Sequence, residues 1–292
     1  MAFIVMTDAE CNLTGEYLEK NNVPIVPMPY FIGDMEFHCN RLEDFNDKQF
    51  WDTVRNGVTV STSQINPQRY ADAFEPHLKN GNDVLFISMS SGISGSYGSS
   101  RIAADMMKEA YPDRCVAAID SRGAALGVGL LVMRAVKCRD NGMSLEETEQ
   151  RITSLRDRMY QVFTVDDLMH LKRTGRLSNI GAVVGTVLGV KPLLKGDRDG
   201  KIVAFGLIRG RRKIAKTLAD KYVSLVKNPE AQTIGILHTD CEQDAQELAD
   251  LIREKLPPKE ILLLKYEPVT GSHLGPGAIA LFFEGGDGVR EQ

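Results

Sequence analysis

Short apolar strands alternate with helical patterns through the first half of the chain, and this alternation limits the folds available to it. The apolar segment Asp83–Ser88 precedes a helical pattern at 95–110, and a second apolar segment at 115–119 precedes another at 123–140. Strands that are apolar almost throughout are typical of parallel sheets buried on both faces, and the crossovers between parallel strands carry the helices. The pattern predicts an α/β domain in which helices cover both faces of a parallel sheet.

The second half also alternates, but with a different spacing. It contains strand patterns at 160–164, 191–194, 201–208, 233–238, 261–267 and 278–283, and helical patterns at 144–158, 168–172, 181–188, 214–226 and 242–256. At 292 residues the chain is long enough for two domains of ordinary size. We therefore expect an N-terminal α/β domain at 1–158 and a second α/β domain at 159–292.

Composition narrows the functional classes. The 35 basic and 39 acidic residues give a net charge of −4, which argues against nucleic acid as the main partner. The five cysteines are odd in number and lack CxxC spacing, so we expect neither disulfides nor a zinc site, as in a reducing cytoplasm. The apolar stretches at 126–136 and 181–190 are too short or too interrupted for stable membrane insertion. The first residues are typical of a buried strand rather than a signal peptide.

Two hydroxyl-rich segments, at 60–67 and 88–97, are the best candidates for a binding site. Each follows a predicted strand and precedes a predicted helix, and in the first one Asn66 and Pro67 form a typical helix start. At such junctions backbone N–H groups and hydroxyls point to one place, where an anion can bind. The two segments either hold the head group of a small acid or form turns and helix caps alone.

A serine hydrolase is an alternative that uses the second of these segments. A nucleophile elbow requires Gly-x-Ser-x-Gly, whereas the chain has Gly92-Ile93-Ser94-Gly95-Ser96 and lacks the last glycine. His273 lies among three glycines and a proline at 271–277, which we predict to be a loop after a strand. It is a candidate base, although no acid that would orient it can be named. His273 is otherwise a ligand contact or a structural residue.

Other charged residues allow two readings each. Arginines concentrate in the second half, where they form either a solvated face or a docking surface for an anionic partner or phosphate: Arg173, Arg176, Arg209, Arg211 and Arg212. Asp8 and Asp120 end predicted parallel strands, the place where α/β proteins carry their sites. A metal role is one reading for them, and capping of the next helix or loop is the commoner one; we expect no metal site.

Six segments occur in an order that is specific to one family. They are Thr62-Ser63-Gln64 with Pro67, Ser91-Gly92-Ile93-Ser94-Gly95-Ser96-Tyr97, Asp120-Ser121, Leu171-Lys172-Arg173-Thr174-Gly175-Arg176-Leu177-Ser178, Lys191-Pro192-Leu193-Leu194, and His273 with Gly275-Pro276-Gly277. In this set the chain resembles the DegV family, bacterial fatty-acid-binding proteins that include the lipid-binding subunits of fatty acid kinase. The departures are Thr174 in place of a usual glycine and Ala9 in place of a usual serine.

The resemblance implies a two-domain α/β fold with a long-chain fatty acid, such as palmitate, bound between the domains. By motif position, Thr62 and Ser94 would bind the carboxylate, with Ser63, Gly95 and His273 beside them. Family members present that carboxylate to a separate kinase, which makes an acyl phosphate for phospholipid synthesis. The resemblance therefore implies a cytoplasmic carrier rather than an enzyme, with no cofactor and with a kinase catalytic subunit as its partner.

Two hypotheses follow about the rest of the chain. The apolar segments 180–190 and 278–283 are candidate walls for the fatty acid tail. Four basic residues would dock the kinase: Arg173, Arg176, Arg209 and Arg211. A serine-dependent acyl hydrolase that uses Ser94 is the alternative function.

Overall fold

The structure, a computed structural model, describes residues 3–178 and 189–292. Within them the strands are β1 (Phe3–Asp8), β2 (Ile25–Val26), β3 (Met28–Ile32), β4 (Met35–Cys39), β5 (Val60–Thr62), β6 (Asp83–Ser88), β7 (Val116–Asp120), β8 (Met159–Thr164), β9 (Val190–Gly196), β10 (Ile202–Arg209), β11 (Thr233–His238), β12 (Glu260–Lys265) and β13 (Ile279–Glu284). The α-helices are α1 (Gly15–Lys20), α2 (Asp47–Arg55), α3 (Pro67–Lys79), α4 (Ser96–Ala110), α5 (Leu126–Asp140), α6 (Leu145–Arg156), α7 (Leu168–Arg173), α8 (Ile214–Leu225), α9 (Glu242–Lys255) and α10 (Pro268–Leu274).

The predicted parallel sheet is confirmed. Its strands run in the order β2-β1-β6-β7, and all neighbours are parallel. Helix α3 packs with α4 and α5 packs with α6, and both pairs contact the sheet. The central strand β6 touches helices of both pairs and is buried along its whole length. This explains why its sequence is apolar throughout, since neither face meets water.

A small antiparallel sheet, in the order β4-β3-β5, was not apparent in the sequence pattern. The pattern predicts one irregular strand over 23–30. Instead the segment divides at Pro27 into β2, which pairs with β1, and β3, which pairs with β4 and β5. Proline cannot donate to a strand ladder, so a change of partner at this point is expected. The small sheet fixes Thr62 of β5 opposite Tyr30 of β3.

The second sheet has the order β10-β9-β8-β13-β11-β12. Strands β11 and β12 are parallel, while the other neighbours are antiparallel. Strands β9 and β10, both predicted as strands, form a hairpin around the Asp199-Gly200 turn, in which Gly200 adopts a φ of +75° that favours glycine. Helices α8 and α9 pack together against this sheet over a core that includes Leu218, Ile236 and Leu248.

Helix α5 lies between the two sheets, where it contacts both β1 and β11. Two glycines allow this close approach. A Cβ at Gly129 would overlap the carbonyl oxygen of Cys11, and a Cβ at Gly235 would lie 2.5 Å from the Leu126 side chain. Gly129 on α5 and Gly235 on β11 therefore serve packing between the helix and its neighbours.

The prediction of a loop at 271–277 is wrong for residues 271–274, because Pro268–Leu274 form the helix α10. Glu267 caps this helix by accepting hydrogen bonds from the N–H groups of Val269 and Thr270. Pro268 occupies the first helical position, where its missing N–H costs nothing. His273 consequently lies in the last helical turn rather than in a loop.

Two other expectations reach beyond what the structure describes. The predicted helix at 181–188 and most of the candidate tail wall at 180–190 lie outside the described residues.

The domain boundary at residue 158 stays a prediction. Strand β7 of the parallel sheet ends at Asp120 and strand β8 of the second sheet begins at Met159, with α5 and α6 between them.

Candidate ligand-binding site

The two hydroxyl-rich loops meet at the starts of α3 and α4. Asn66 caps α3 by accepting a hydrogen bond from the Arg69 N–H at 2.9 Å. In the second loop the Ser94 hydroxyl donates to Ser96 Oγ at 3.0 Å and accepts from the Ser96 N–H at 3.2 Å. The Ile65 N–H donates to the same Ser96 Oγ at 3.4 Å, which ties the loops together. Ser94 is thus held at the beginning of α4.

His273 joins these loops from α10. Its Nε2 atom lies 2.8 Å from the hydroxyl oxygen of Thr62, at the end of β5. The tautomer of the imidazole decides which of the two groups donates this hydrogen bond. The two residues are 211 positions apart in the sequence, so only the tertiary fold brings them together.

The imidazole of His273 is neutral at physiological pH. Burial, the nearby Arg176 and, to a smaller extent, His170 lower the pKa of His273 to about 4. Its Nδ1 atom is buried and has no hydrogen-bond partner among the described residues. Buried polar atoms in native proteins are nearly always paired. His273 therefore retains hydrogen-bonding capacity that a ligand can use.

A cavity of about 170 Å³ opens between these groups, and we call it the inner cavity. Its polar lining residues are Thr62, Ser63, Gln64, Ser94, Arg176, Thr270 and His273. Most of its remaining wall is apolar and includes Met28, Met89, Ile93, Leu171, Ile202 and Val269. A cavity with a few polar groups and a largely apolar wall suits a ligand with a polar head and an apolar body.

A second cavity of about 480 Å³, which we call the outer cavity, lies on the other side of the head-group residues. Three residues line both cavities: Thr62, Arg176 and His273. Residues that line only the outer cavity include His170, Arg173 and Thr174. The shared residues therefore lie where the two cavities meet, and the outer cavity adds basic and hydroxyl groups beside Val54, Val58 and Val60.

The loop that carries Ser94 is supported from the β9–β10 hairpin. The buried Ser90 hydroxyl donates to the Gly200 carbonyl at 2.8 Å and accepts from the Gly92 N–H at 3.1 Å. Gly92 also lies against the turn, since a Cβ there would come within 2.9 Å of the Gly200 oxygen. Contacts from the second sheet thus fix a loop that belongs to the first.

Gly95 contributes space rather than a polar group. A Cβ at this position would overlap the side-chain amide of Gln64, so a larger residue would displace Gln64 from the cavity wall. Helix α4 starts here, and the positive end of its dipole lies beside Ser94.

The four arginines predicted to dock a partner differ in their surroundings. Arg176 lies in the wall of both cavities, and Arg173 lies at the outer one with an exposed partner, Asp167, at 3.6 Å. Arg209 is exposed at the end of β10. Arg211 binds Asp166 at 2.5 Å and also pairs with Asp244, so its charge is already neutralised within the fold.

The chain has relatives across its whole length. The family model described as "Uncharacterised protein, DegV family" matches residues 2–285. A DegV domain-containing protein of Clostridium perfringens is 37% identical over 283 residues, which cover 97% of each protein. The chain belongs to the DegV family.

Solved DegV structures have the same fold as this DegV family member. One from Thermus thermophilus, described as a fatty-acid-binding DegV family protein, is 26% identical with a TM-score of 0.88, covering 98% of this chain and 100% of its own. A stearic acid-binding protein from Eubacterium ventriosum is 25% identical with a TM-score of 0.80, covering 96% and 97%. The two-domain α/β fold expected from the sequence agrees with these structures. Among the described residues of the DegV chain, no helix is long and apolar enough to cross a membrane.

The sequence pattern did not assign every residue at these cavities. His170 and the apolar residues Met28 and Leu171 carry no signal of a site by themselves, although Leu171 begins a family segment. The docking role expected for Arg176 stays a prediction, and the structure adds that this residue lines both cavities of the DegV protein. Its spacing from His273 along the sequence gave no hint of their proximity.

Proposed function

We propose that this DegV family protein binds a long-chain fatty acid such as palmitate. The carboxylate lies at Thr62 and Ser94, near His273, and the tail enters the inner cavity. The observation that carries the proposal is the lining of the inner cavity, in which Thr62, Ser94 and His273 share one space with a largely apolar wall. The relatives described as fatty-acid-binding support the same ligand class.

The tail supplies most of the affinity. A palmitate-sized tail has about fifteen carbons beyond the head, and at ~0.8 kcal/mol per buried methylene its complete burial would contribute on the order of 10 kcal/mol before the costs of binding. The carboxylate must lose water as well, and an unpaired buried charge is prohibitive. Hydroxyl donors, the guanidinium of Arg176 and the start of α4 offset that cost. Their main effect is to orient the head.

Fatty acid binding is tested most directly by native mass spectrometry of the purified protein. We expect a retained long-chain acid in one-to-one stoichiometry. After delipidation, Thr62→Val and Ser94→Ala should each weaken palmitate binding by about tenfold, since each removes one hydrogen bond to a charged group. Ser178→Ala, at an exposed serine that does not line either cavity, serves as the control. If no acid is retained and palmitate does not bind, the proposed function is wrong.

The same proposal includes presentation of the carboxylate to a separate kinase. The carboxylate would be reached from the outer cavity, and exposed arginines at the end of β10 and just after it supply a docking surface. Because Arg211 is already paired, Arg209 and Arg212 are the better candidates. Arg209→Glu with Arg212→Glu should lower phosphorylation of bound palmitate by a fatty acid kinase catalytic subunit, while palmitate affinity stays unchanged. Arg198→Glu, an exposed arginine at the hairpin turn, is the matched control. If palmitate bound to the wild-type protein, to the double variant and to the control is phosphorylated equally well, the proposed docking surface is wrong.

An acyl hydrolase that uses Ser94 is less well supported. The Ser94 hydroxyl is bonded to Ser96, and the imidazole of His273 pairs with Thr62 instead. A catalytic serine needs a base within hydrogen-bonding reach. Labelling of Ser94 by a serine-reactive fluorophosphonate, together with turnover of an acyl ester, would restore the hydrolase hypothesis.

A further inference from the structure

Arg290, in the short helical turn at 289–291, is buried and joins three separate segments of the chain. Its guanidinium donates hydrogen bonds to three backbone carbonyls. The Nε atom donates to Met159 at 3.1 Å, and Nη1 donates to Arg122 at 2.6 Å and to Asp197 at 3.2 Å. The Nη2 atom is buried and has no partner among the described residues. One side chain thus connects the start of β8, the loop after β7 and the β9–β10 turn.

The charge of Arg290 is costly in this position. Burial lowers the pKa of Arg290 to about 10, so the guanidinium still carries its charge at neutral pH. Burying a charge costs free energy, and neutral carbonyl groups offset only part of it. Stability alone therefore does not favour an arginine here. An apolar side chain of similar length would avoid that cost, but it could not fix three carbonyl groups relative to one another.

Two of the three carbonyls belong to segments that hold Ser90. Arg122 precedes Gly123, whose carbonyl accepts a hydrogen bond from the Ser90 N–H at 2.7 Å. The Asp197 carbonyl also accepts from the Gly200 N–H at 3.0 Å, and the Gly200 carbonyl accepts from the Ser90 hydroxyl at 2.8 Å. Both backbone segments that bind Ser90 are therefore bound by the same guanidinium.

Ser90 in turn positions the residues of its loop that line the inner cavity. Its carbonyl accepts hydrogen bonds from the N–H groups of Ile93 at 3.0 Å and Ser94 at 3.1 Å. Ile93 and Ser94 both line the inner cavity, whereas Arg290 lines neither cavity. Any effect of Arg290 on a ligand consequently passes through the backbone that it holds.

We propose that Arg290 is a positioning residue for the carboxylate site, which holds the carbonyl groups around Ser90 so that Ser94 faces the head group of the ligand. This proposal rests on the proposed function. Removing the Ser90 hydroxyl would loosen one of the two supports of the loop, whereas removing the guanidinium loosens both. The tail meets other parts of the cavity wall, so Arg290 affects recognition of the head group alone.

The ratio of two affinities separates positioning of the head group from general stability. Palmitate carries the carboxylate, whereas hexadecanol has the same tail without it. In the delipidated protein Arg290→Met should weaken palmitate binding by about fivefold and leave hexadecanol binding unchanged. Arg290→Lys should weaken palmitate binding by only about twofold, because an ammonium keeps the charge but lacks the fork that reaches separate carbonyls.

Two variants serve as matched controls. Arg198→Met makes the same substitution in the β9–β10 turn, where the arginine side chain is 75% exposed, and it should change neither affinity. Val289→Ala shortens the buried neighbour of Arg290, which packs in the core of the second sheet. It should lower the midpoint of urea unfolding and leave the ratio of the two affinities unchanged.

The proposal is wrong if Arg290→Met weakens palmitate and hexadecanol binding equally, or weakens neither. If Arg290→Met does not fold, Arg290→Lys decides in the same assay: a loss of palmitate affinity alone supports the proposal, and an unchanged ratio overturns it. A selective loss of palmitate affinity in Val289→Ala would also overturn it, because any destabilisation of the segment would then have this effect. Failure of the wild-type protein to bind palmitate would refute the proposed function instead.

Discussion

Asp8 and His273 are both polar groups in the interior, but their hydrogen bonding differs. Asp8, at the end of β1, accepts hydrogen bonds from the Tyr70 hydroxyl at 2.7 Å, the Ser88 hydroxyl at 3.3 Å and the Met89 N–H. His273 has one partner, Thr62, and a buried Nδ1 without any partner among the described residues. The aspartate is satisfied by the fold, whereas the histidine is satisfied only in part.

The difference in hydrogen bonding distinguishes a structural residue from a ligand-binding one. Position alone does not, because Asp8 lies at the end of a strand and His273 lies in the last turn of a helix. Position at the carboxyl end of a parallel strand made Asp8 a candidate site residue. Its filled hydrogen bonds mark it instead as part of the frame that holds α3 against the parallel sheet. Remaining capacity beside a cavity, as at His273, is the better indicator of ligand binding.

The largest expected effect concerns the pH dependence of stability. Burial raises the pKa of Asp8 to about 7 and that of Glu267 to about 7. A carboxyl group whose pKa is raised by folding stabilises the protein below its unfolded pKa and loses that contribution as pH rises toward the folded value. The free energy of unfolding should therefore fall between about pH 4 and pH 7, by at most about 4 kcal/mol for each group.

Urea unfolding at pH 5 and pH 8 tests this prediction. The wild-type protein should be less stable at pH 8, and Asp8→Asn should reduce the difference between the two pH values. Asp113→Asn, at an exposed aspartate, should leave it unchanged. If Asp8→Asn retains the full wild-type pH dependence, folding does not raise the pKa of the Asp8 carboxyl. The comparison with His273 would then rest on the hydrogen bonds alone.

Local rules account for the parts of the fold that the sequence predicted well. The start of α3 follows from Asn66 as cap and Pro67 as first helical residue, and the structure confirms both. The buried strand β6 follows from an unbroken apolar run. Each of these features depends on residues a few positions apart, so the local sequence is sufficient to predict it.

The parts that were missed depend on distant residues. The small sheet forms because β3 finds β4 and β5, and proline-rich strands give little local signal for such pairing. Helix α10 is short and contains glycine, so its cap at Glu267 followed by Pro268 was the one available signal. The position of Arg176 between two cavities arises from packing of separate elements. Family segments identified Thr62, Ser94 and His273 as candidates, but the pairing of Thr62 with His273 required the fold.

The next largest effect concerns His273 itself. His273→Gln should weaken palmitate binding by about tenfold, while the free energy of unfolding of the delipidated protein changes by less than about 1 kcal/mol because the imidazole is only partly satisfied. Binding of hexadecanol, which has the same tail but no carboxylate, should be nearly unaffected. Calorimetric titration with both ligands and a urea melt supply the measurements.

This result would sharpen the comparison with Asp8, because one residue would affect binding and the other stability. A large loss of stability in His273→Gln without any loss of palmitate affinity would reverse the assignment. An equal loss for hexadecanol and palmitate would indicate that His273 shapes the cavity rather than contacting the head group.

The smallest effect is expected at Ser90, which is buried and satisfied like Asp8 but lies in the loop that carries Ser94. Ser90→Ala removes the hydrogen bond to Gly200 and leaves the Gly92 N–H without its partner. The free energy of unfolding should fall by about 1 kcal/mol. Palmitate affinity should fall only about twofold to threefold, a few tenths of a kcal/mol, since the loop keeps its bond between the Ser90 N–H and the Gly123 carbonyl.

Ser91→Ala provides the control for Ser90, because Ser91 lies in the same loop but is exposed and bonds to Asp120 rather than to the hairpin. If Ser90→Ala lowers palmitate affinity and spares hexadecanol while Ser91→Ala changes neither, the hairpin positions the head-group loop. Ser90, whose hydrogen bonds are all made within the fold, would then influence binding through the loop that it positions. The contrast between Asp8 and His273 would in that case hold only for residues that contact the ligand directly. If Ser90→Ala changes stability but neither affinity, residues that support the head-group loop affect stability alone, as Asp8 is expected to.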